Sequence, residues 1–314
     1  MTIVQLEYIL AVEKEGHFGR AARACHVTQP TLSMQVLKLE EFLGFSIFDR
    51  EKNPVIPTEK GILILKQAKI AVSEFKKINS VYAQNDPVSG TLQVGIIPTL
   101  APSLIPLFIH SFEKKYPKID LFIEELQTPQ IIQALLEDRI DVGLLVTPLN
   151  IHSLEETALF YEPFYGYFSK NHKLLKKEKI KPQDLHQNDL WLLSEGHCFR
   201  NQTLQICKIK NKAIHHRTHF ESGSLETLIR IIDAGEGYTL LPELTSTSIS
   251  NHQKKKIRAF EGKPPTREVG LVYTKRIHKR RLIQKFKEAV IEKIPKHLLK
   301  KPKEKQIISI EEPT

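Results

Sequence analysis

Phe18-Gly19-Arg20-Ala21-Ala22-Arg23-Ala24-Cys25-His26-Val27-Thr28-Gln29-Pro30-Thr31-Leu32-Ser33 holds two helix-forming runs with a tight turn between them. The alanines of the first run permit close approach of another helix. His26-Val27-Thr28 forms the turn. Thr28 is suited to cap the second helix, and Pro30 falls in its first turn, where a missing N–H costs nothing. At helical spacing, Leu32, Val36, Leu39 and Leu43 share an inward face, and Thr31, Gln35 and Lys38 share the opposite one. This pattern fits helix-turn-helix geometry, with Thr and Gln available to base edges and Lys to phosphates. It fits a plain helical hairpin with a solvated polar face equally well. Cys25, among small core residues, reads as structural.

Outward from this stretch, residues 2–15 form an amphipathic helix capped by Thr2, with Leu6, Ile9 and Leu10 on one face. On the other side, Phe48 to Thr58 reads as two short edge strands around a turn, a wing. Its Arg50 and Lys52 lie within reach of a DNA backbone or minor groove, or belong to a solvated hairpin. Thr58-Glu59-Lys60-Gly61 begins a helix running to about Ala83. Its stripe Ile62, Leu65, Ala68, Val72, Phe75 and Ile78 needs a partner surface, and a dimer is the simple one. Asp86-Pro87-Val88-Ser89-Gly90 is a linker.

From Gly90 the texture is α/β. Strands are expected at 92–97, 119–124, 142–146, 162–169, 190–194, 238–241 and 268–274. Helices are expected to about Tyr116, at 129–138 and at 225–234. Alternating strands and helices imply mostly parallel sheets, with ligands at strand C-terminal ends. Thr99 and Thr128 sit at such ends, where they are either ligand groups or helix caps. Residues 275–294 read as a basic helix with Ile283, Phe286, Val290 and Ile294 inward. The segment 295–314 reads as a loose tail, and deletion of 299–314 should leave any DNA sequence preference intact. There is no internal repeat, P-loop or G-x-G-x-x-G, and no Ser/His/Asp set stands out.

The net charge of +10 invites a nucleic-acid partner. Its distribution does not point to the helical N-terminus. Residues 1–60 carry 7 Lys/Arg against 8 Asp/Glu, whereas residues 250–314 carry 19 against 7. Three cysteines in 314 residues do not make a disulfide scaffold, which favours a reducing compartment. Neither a signal peptide nor a membrane span is visible, so the expectation is cytoplasmic, with no membrane partner.

Two of the three cysteines flank one short stretch, Gly196-His197-Cys198-Phe199-Arg200 through Cys207. Nine residues apart, their Cα atoms would be roughly 13–14 Å apart on a helix, and further apart on a strand. A disulfide needs about 7 Å or less, so the pair could close only if the segment refolded. His197, Arg200 and a helix start after Gly196 would favour a Cys198 thiolate. Cys207, in an apolar run, looks buried. Two ordinary buried cysteines fit the stretch as well. A zinc site with His215, His216 and His219 is a third reading, weakened by the lack of C-x₂₋₄-C spacing.

Residues 1–60 resemble the winged helix-turn-helix of LysR-type transcriptional regulators. The resemblance rests on Phe18, Arg20-Ala21-Ala22, Thr28 to Ser33, Leu39-Glu40, Leu43-Gly44, Phe48-Asp49-Arg50 and Thr58 to Gly61. It extends to about residue 295. It implies an α/β chain with a winged helix-turn-helix at 1–60 and a linker and dimerisation helix at 61–89. A two-lobed, periplasmic-binding-protein-like effector domain at 90–298 and a loose basic tail at 299–314 would follow. The implied DNA contacts are Thr28, Gln29, Pro30, Thr31, Ser33, Gln35, Lys38 and Arg50. The implied partners are promoter DNA, further copies of the chain as a dimer of dimers, and RNA polymerase.

Further matches point to the peroxide-sensing members of that family. They include Gly95 to Thr99, Gln127-Thr128, Gly196-His197-Cys198, Arg200, Gln202, Cys207, Ser224 to Leu228, Thr239 to Pro242 and Arg267 to Tyr273. This resemblance implies that hydrogen peroxide is the signal, that Cys198 is oxidised first and that Cys207 resolves it. It also implies a peroxide pocket of Thr99, Thr128, His197, Arg200 and Arg267, with no metal or cofactor. Hydroxyl, imidazole and guanidinium donors suit a peroxide whose far oxygen leaves as hydroxide. Two other classes compete. One is a family member that binds a small organic effector between the lobes, with bystander cysteines. The other is a thiol peroxidase, which the DNA-binding half argues against.

Overall fold

Thr2 caps the first helix, α1 (Ile3–Glu15): its Oγ1 accepts from Gln5 N at 3.3 Å, and Gln5 Oε1 accepts from Thr2 N at 2.9 Å. In the computed structural model, which describes residues 1–82, 88–186, 189–208, 222–275 and 279–308, α2 (Phe18–Ala24) and α3 (Gln29–Leu43) follow as expected. Thr28 Oγ1 accepts from Thr31 N at 3.4 Å, and α3 stops at Gly44 with φ +76°. Leu32, Val36 and Leu39 pack with Leu6, Ile9, Val12, Ala21 and Ala22. β1 (Phe48–Asp49) and β2 (Ile56–Pro57) form an antiparallel ribbon. Buried Glu40 anchors it, accepting from Ile47 N at 2.8 Å and Phe48 N at 3.3 Å.

α4 (Glu59–Tyr82) corrects one expectation. Leu65, Ala68 and Val72 need no second copy, because they complete the core built on α1 to α3. Only the flanks of the stripe remain free in a single chain: Ile62 is 57% exposed and Phe75 45%. The side chain of Ile78, and residues 83–87, which include Asp86 and Pro87 of the expected linker, lie outside the described residues. The chain forms two compact units, Met1–Asp86 and Pro87–Thr314, so α4 belongs with the N-terminal helices.

The second unit has two lobes. β3 (Gly90–Ile96), α5 (Ala101–Lys115), β4 (Ile119–Glu125), α6 (Thr128–Leu136) and β5 (Val142–Thr147) open the first. β6 (Leu154–Phe168), β7 (Lys179–Ile180), α7 (Cys198–Cys207), α8 (Leu225–Ala234), β8 (Tyr238–Pro242), α9 (Glu243–Ser248), α10 (Asn251–Lys254) and β9 (Ile257–Phe260) lead through the second. β10 (Thr266–Thr274) and α11 (Arg280–Lys293) return to the first. The strands run β4-β3-β5-β10-β6-β9-β7, with β8 also on β6.

The expectation of mostly parallel strands fails. β3 is parallel to β4 and β5, and β7 to β9, but β10 is antiparallel to both β5 and β6, and β6 to β8 and β9. The reason is the return path: β6 leaves the first lobe and β10 re-enters it alongside, pointing the other way. The strand expected at 190–194 is reduced to isolated bridges at Leu190 and Leu193. Each lobe has its own apolar core. No helix among the described residues is long and apolar enough to cross a membrane.

The tail expected to be loose is docked through residue 308. Leu298 is buried in the first-lobe core. Ile307 bridges to Thr266, and Ile308 N donates to Thr266 O at 2.9 Å. Gln202 Nε2, on α7, donates to Ile308 O at 3.0 Å. Lysines dominate the tail's composition, but its few aliphatic residues decide where it lies. Gln306 Nε2 donates to Pro264 O at 3.4 Å, so deleting 304–314 loses three hydrogen bonds and is expected to destabilise the second unit by about 1.5–4.5 kcal/mol, at roughly 0.5–1.5 kcal/mol each. Urea unfolding of the truncated protein measures this.

Candidate functional site

Two helix N-termini meet at Cys198. Gly196 approaches the first turn of α6 so closely that a Cβ there would lie 2.3 Å from Gln127 Oε1, and its φ of +86° also favours glycine. His197 is the N-cap of α7 and Cys198 its first residue; Gln127 and Thr128 hold the same positions on α6. Gln127 Nε2 lies 3.2 Å from His197 Nε2. An amide nitrogen only donates, so His197 Nε2 accepts and the neutral ring carries its proton on Nδ1. Burial lowers the His197 pKa, which keeps the ring neutral. Both helix ends place partial positive charge beside the thiol.

Arg267 closes the far side. It is fully buried, as is its partner Glu162, with Nε–Oε2 at 2.9 Å and NH2–Oε2 at 2.8 Å. Its NH1 donates to Thr99 Oγ1 at 3.0 Å and its NH2 to Thr99 O at 3.3 Å. The guanidinium also lies 5.7 Å from the centre of the Phe199 ring. Glu162 accepts from Leu244 N at 2.7 Å as well, so the charge pair is heavily hydrogen-bonded.

The expectation of an activated thiolate at Cys198 needs correcting. Burial raises its pKa, and this outweighs the Arg267 charge, the Thr128 hydroxyl and the backbone N–H groups, which all favour the anion. The resting sulfur is a thiol among donors already arranged for its anion. Thr128 Oγ1 is buried and completes no hydrogen bond, but it stands close enough to Cys198 to favour ionisation. Arg200, expected in the same pocket, donates instead through NH1 to Leu193 O at 2.9 Å and braces the entry to α7.

Thr99, Thr128, His197 and Arg267 thus surround or brace Cys198. Glu162, Gln127 and Phe199 were missed as site residues. Glu162 lies 105 residues from Arg267 in sequence and nothing local marks it, whereas Gln127 was legible as the neighbour of Thr128. Cys207 closes α7 at its other end, roughly 13 Å away by helical rise. Both cysteines are free. Cys198 belongs to the first-lobe core and Cys207 to the second. The histidines 215, 216 and 219 lie outside the described residues. Among the described residues no cluster of three or more His, Cys, Asp or Glu is arranged to hold a metal ion.

On the N-terminal unit, Thr28, Gln29, Pro30, Thr31 and Lys38 are exposed, while Ser33 and Gln35 are half-buried. Thr28 and Thr31 share a hydroxyl–hydroxyl bond of 2.8 Å, and Gln35 Oε1 accepts from Gln5 Nε2 at 3.2 Å. Arg50, expected within reach of a DNA backbone, is exposed, and its guanidinium binds Glu40 at 2.6 Å and lies 5.0 Å from the Phe18 ring centre.

Family models match both units: the bacterial regulatory helix-turn-helix protein of the lysR family over residues 3–62, and the LysR substrate binding domain over 85–295. The chain belongs to the LysR family. Within it, the chain is 36% identical to a hydrogen peroxide-inducible genes activator of Dickeya chrysanthemi, over 78% of this chain and 80% of that protein. It is 34% identical to the DNA-binding transcriptional dual regulator OxyR of Escherichia coli K12, over 87% and 89%. A full-length OxyR variant from Pseudomonas aeruginosa has a TM-score of 0.77 at 32% identity, covering 93% of this chain and 98% of that one. The helix-turn-helix match begins with α1 and ends in the first turn of α4. The second match carries both lobes and all the residues gathered at Cys198.

Proposed function

We propose that this LysR-family chain is a cytoplasmic, DNA-binding transcription regulator that senses hydrogen peroxide through Cys198 and Cys207. One observation carries the reading: a buried thiol faces two helix N-termini and a buried arginine, while a second free thiol ends the same ten-residue helix. Peroxide entering beside Cys198 meets the Thr128 hydroxyl, the His197 imidazole and the Arg267 guanidinium. The thiolate attacks one oxygen, the O–O bond breaks, and the far oxygen leaves as hydroxide, which takes a proton to become water. Charge developing on that oxygen is stabilised by donors already in position. The resulting sulfenic acid condenses with the Cys207 thiol, releasing water and forming the disulfide. Because the cysteines sit at opposite ends of α7, closing the bond requires α7 to unwind.

The relatives named for peroxide-inducible genes support this assignment. The exposed Ile62, Leu63 and Phe75 of α4 fit pairing with a second copy, and we place the assembly as a dimer of dimers on promoter DNA that engages RNA polymerase. The protein is not an enzyme in this reading, because oxidation is spent on its own conformation. A cleft of about 280 Å³ between Thr99 and Ser103 on one lobe and Ser224, Glu226 and Arg230 on the other favours a second reading, an organic effector. Thiol titration before and after one equivalent of peroxide separates the two. Loss of two thiols per chain with a changed DNA footprint supports the sensor; no loss supports the effector.

The recognition face predicts its own result. Thr31→Ala is expected to relax base preference by about 1–3 kcal/mol for one lost base contact. Arg50→Ala should weaken all sequences alike and also loosen the β1–β2 ribbon, because Glu40 loses its cation. Specific and random duplexes compared over a salt series test both.

A further inference from the structure

The Cys207 end of α7 is held by a residue that the peroxide chemistry does not use. Tyr238 opens β8 and is almost wholly buried. Its ring stacks on Phe168 at 5.5 Å and meets His172 edge-on at 5.9 Å. Its carbonyl accepts from Trp191 N at 2.8 Å, so the ring is fixed from both strand and loop. The hydroxyl lies 3.0 Å from His186 O and 3.8 Å from Cys207 Sγ.

A phenol has one proton to give. The carbonyl oxygen is nearer and the better acceptor, and the same hydroxyl also donates to Cys207 Sγ. The contact to sulfur is lost when Cys207 moves away. Burial pushes the Cys207 thiol up to about 12, and the Tyr238 hydroxyl offsets only part of that rise. Docked Cys207 is therefore not a nucleophile near neutral pH. It becomes one only after leaving Tyr238 for water, where an ordinary thiol pKa returns.

We propose that Tyr238 is a positioning residue that holds Cys207 docked, and thereby sets how fast the resolving cysteine reaches an oxidised Cys198. This rests on the proposed Cys198–Cys207 disulfide. The step it governs is Cys198–SOH plus HS–Cys207 giving the S–S bond and water. Tyr238 takes no part in that bond-making; it controls how long the sulfenic acid waits.

Tyr238→Phe tests this, because it keeps the ring packing and removes only the hydroxyl. His186 is exposed, so its carbonyl turns to water and leaves no buried orphan. Sulfenic acid formation is followed by dione trapping and mass spectrometry in the Cys207→Ser background, with and without Tyr238→Phe. Disulfide formation is followed in the two-cysteine proteins by rapid quench. The expected result is an unchanged first step and a second step about 2- to 10-fold faster, the equivalent of one net hydrogen bond. The acceleration should hold at every pH without moving the midpoint of the profile, since the ionising species is the undocked thiol in both proteins. A second step at or below the wild-type rate overturns the role of Tyr238. So does equal acceleration of both steps with a lowered unfolding midpoint, which marks general loosening. If wild-type protein forms no intrachain disulfide with peroxide, the sensor reading itself fails, and that outcome is distinct from the other two.

Discussion

Arg267→Ala is expected to cost about 3–5 kcal/mol of folding stability, the usual result of stripping one partner from a buried ion pair. Glu162 would remain fully buried with Leu244 N and no cation. The same substitution should slow peroxide attack at Cys198 roughly 10- to 100-fold, because an opposite charge nearby is worth one to two pKa units to a thiolate. The two effects separate in Arg267→Met combined with Glu162→Gln. Removing both charges restores much of the stability, but it cannot restore the thiolate. Urea midpoints and the rate of sulfenic acid formation give the two readings. A single variant that keeps the wild-type rate would show that the guanidinium does not act on Cys198.

Cys198→Ser is expected to abolish the peroxide response outright, since no other described group near the site can attack peroxide. Cys207→Ser should still be oxidised at Cys198, but remain as sulfenic acid or a mixed disulfide. In the wild type, closing a loop of about ten residues restricts the unwound segment at a cost of roughly 2.5–3 kcal/mol. The packing of Phe199, Leu204 and Ile206 in the second-lobe core resists as well, at about 1.5–3 kcal/mol for each large side chain fully buried. The two costs add, so the oxidation of both thiols by peroxide is what drives α7 to unwind. Hydrogen exchange at 196–208, in reduced and oxidised protein, measures the change. A Cys198→Ser protein whose DNA footprint still shifts with peroxide ends the proposal.

Local chemistry made the N-terminal unit readable. Thr2, Thr28 and Gly44 are caps whose partners lie within four residues, so the boundaries of α1 and α3 followed from sequence. For α7, the sequence marked a helix start after Gly196 but no end at Cys207. What failed was non-local. The antiparallel run of β10 beside β6 joins residues about a hundred positions apart. Arg267 was expected at the site, but Glu162 was not, because a charge pair closed by a tertiary return has no spacing to betray it. The partners of Arg50 were hidden for a related reason: Phe18 and Glu40 come beneath it only in the fold. The sign of the Cys198 pKa shift also depends on burial, which the neighbouring residues do not report.

α7 is seated in two hydrophobic cores at once, Cys198 in that of the first lobe and Leu204, Ile206 and Cys207 in that of the second. In a switch built this way, neither direction ends with the sulfur chemistry. Oxidation must unwind the helix and unseat these three side chains, and reduction must be followed by rewinding and their re-insertion into a close-packed site. At high reductant, recovery would become independent of reductant concentration and follow the rate of re-insertion. The protein would then keep a short memory of each peroxide pulse, with a duration written in the packing of its second lobe.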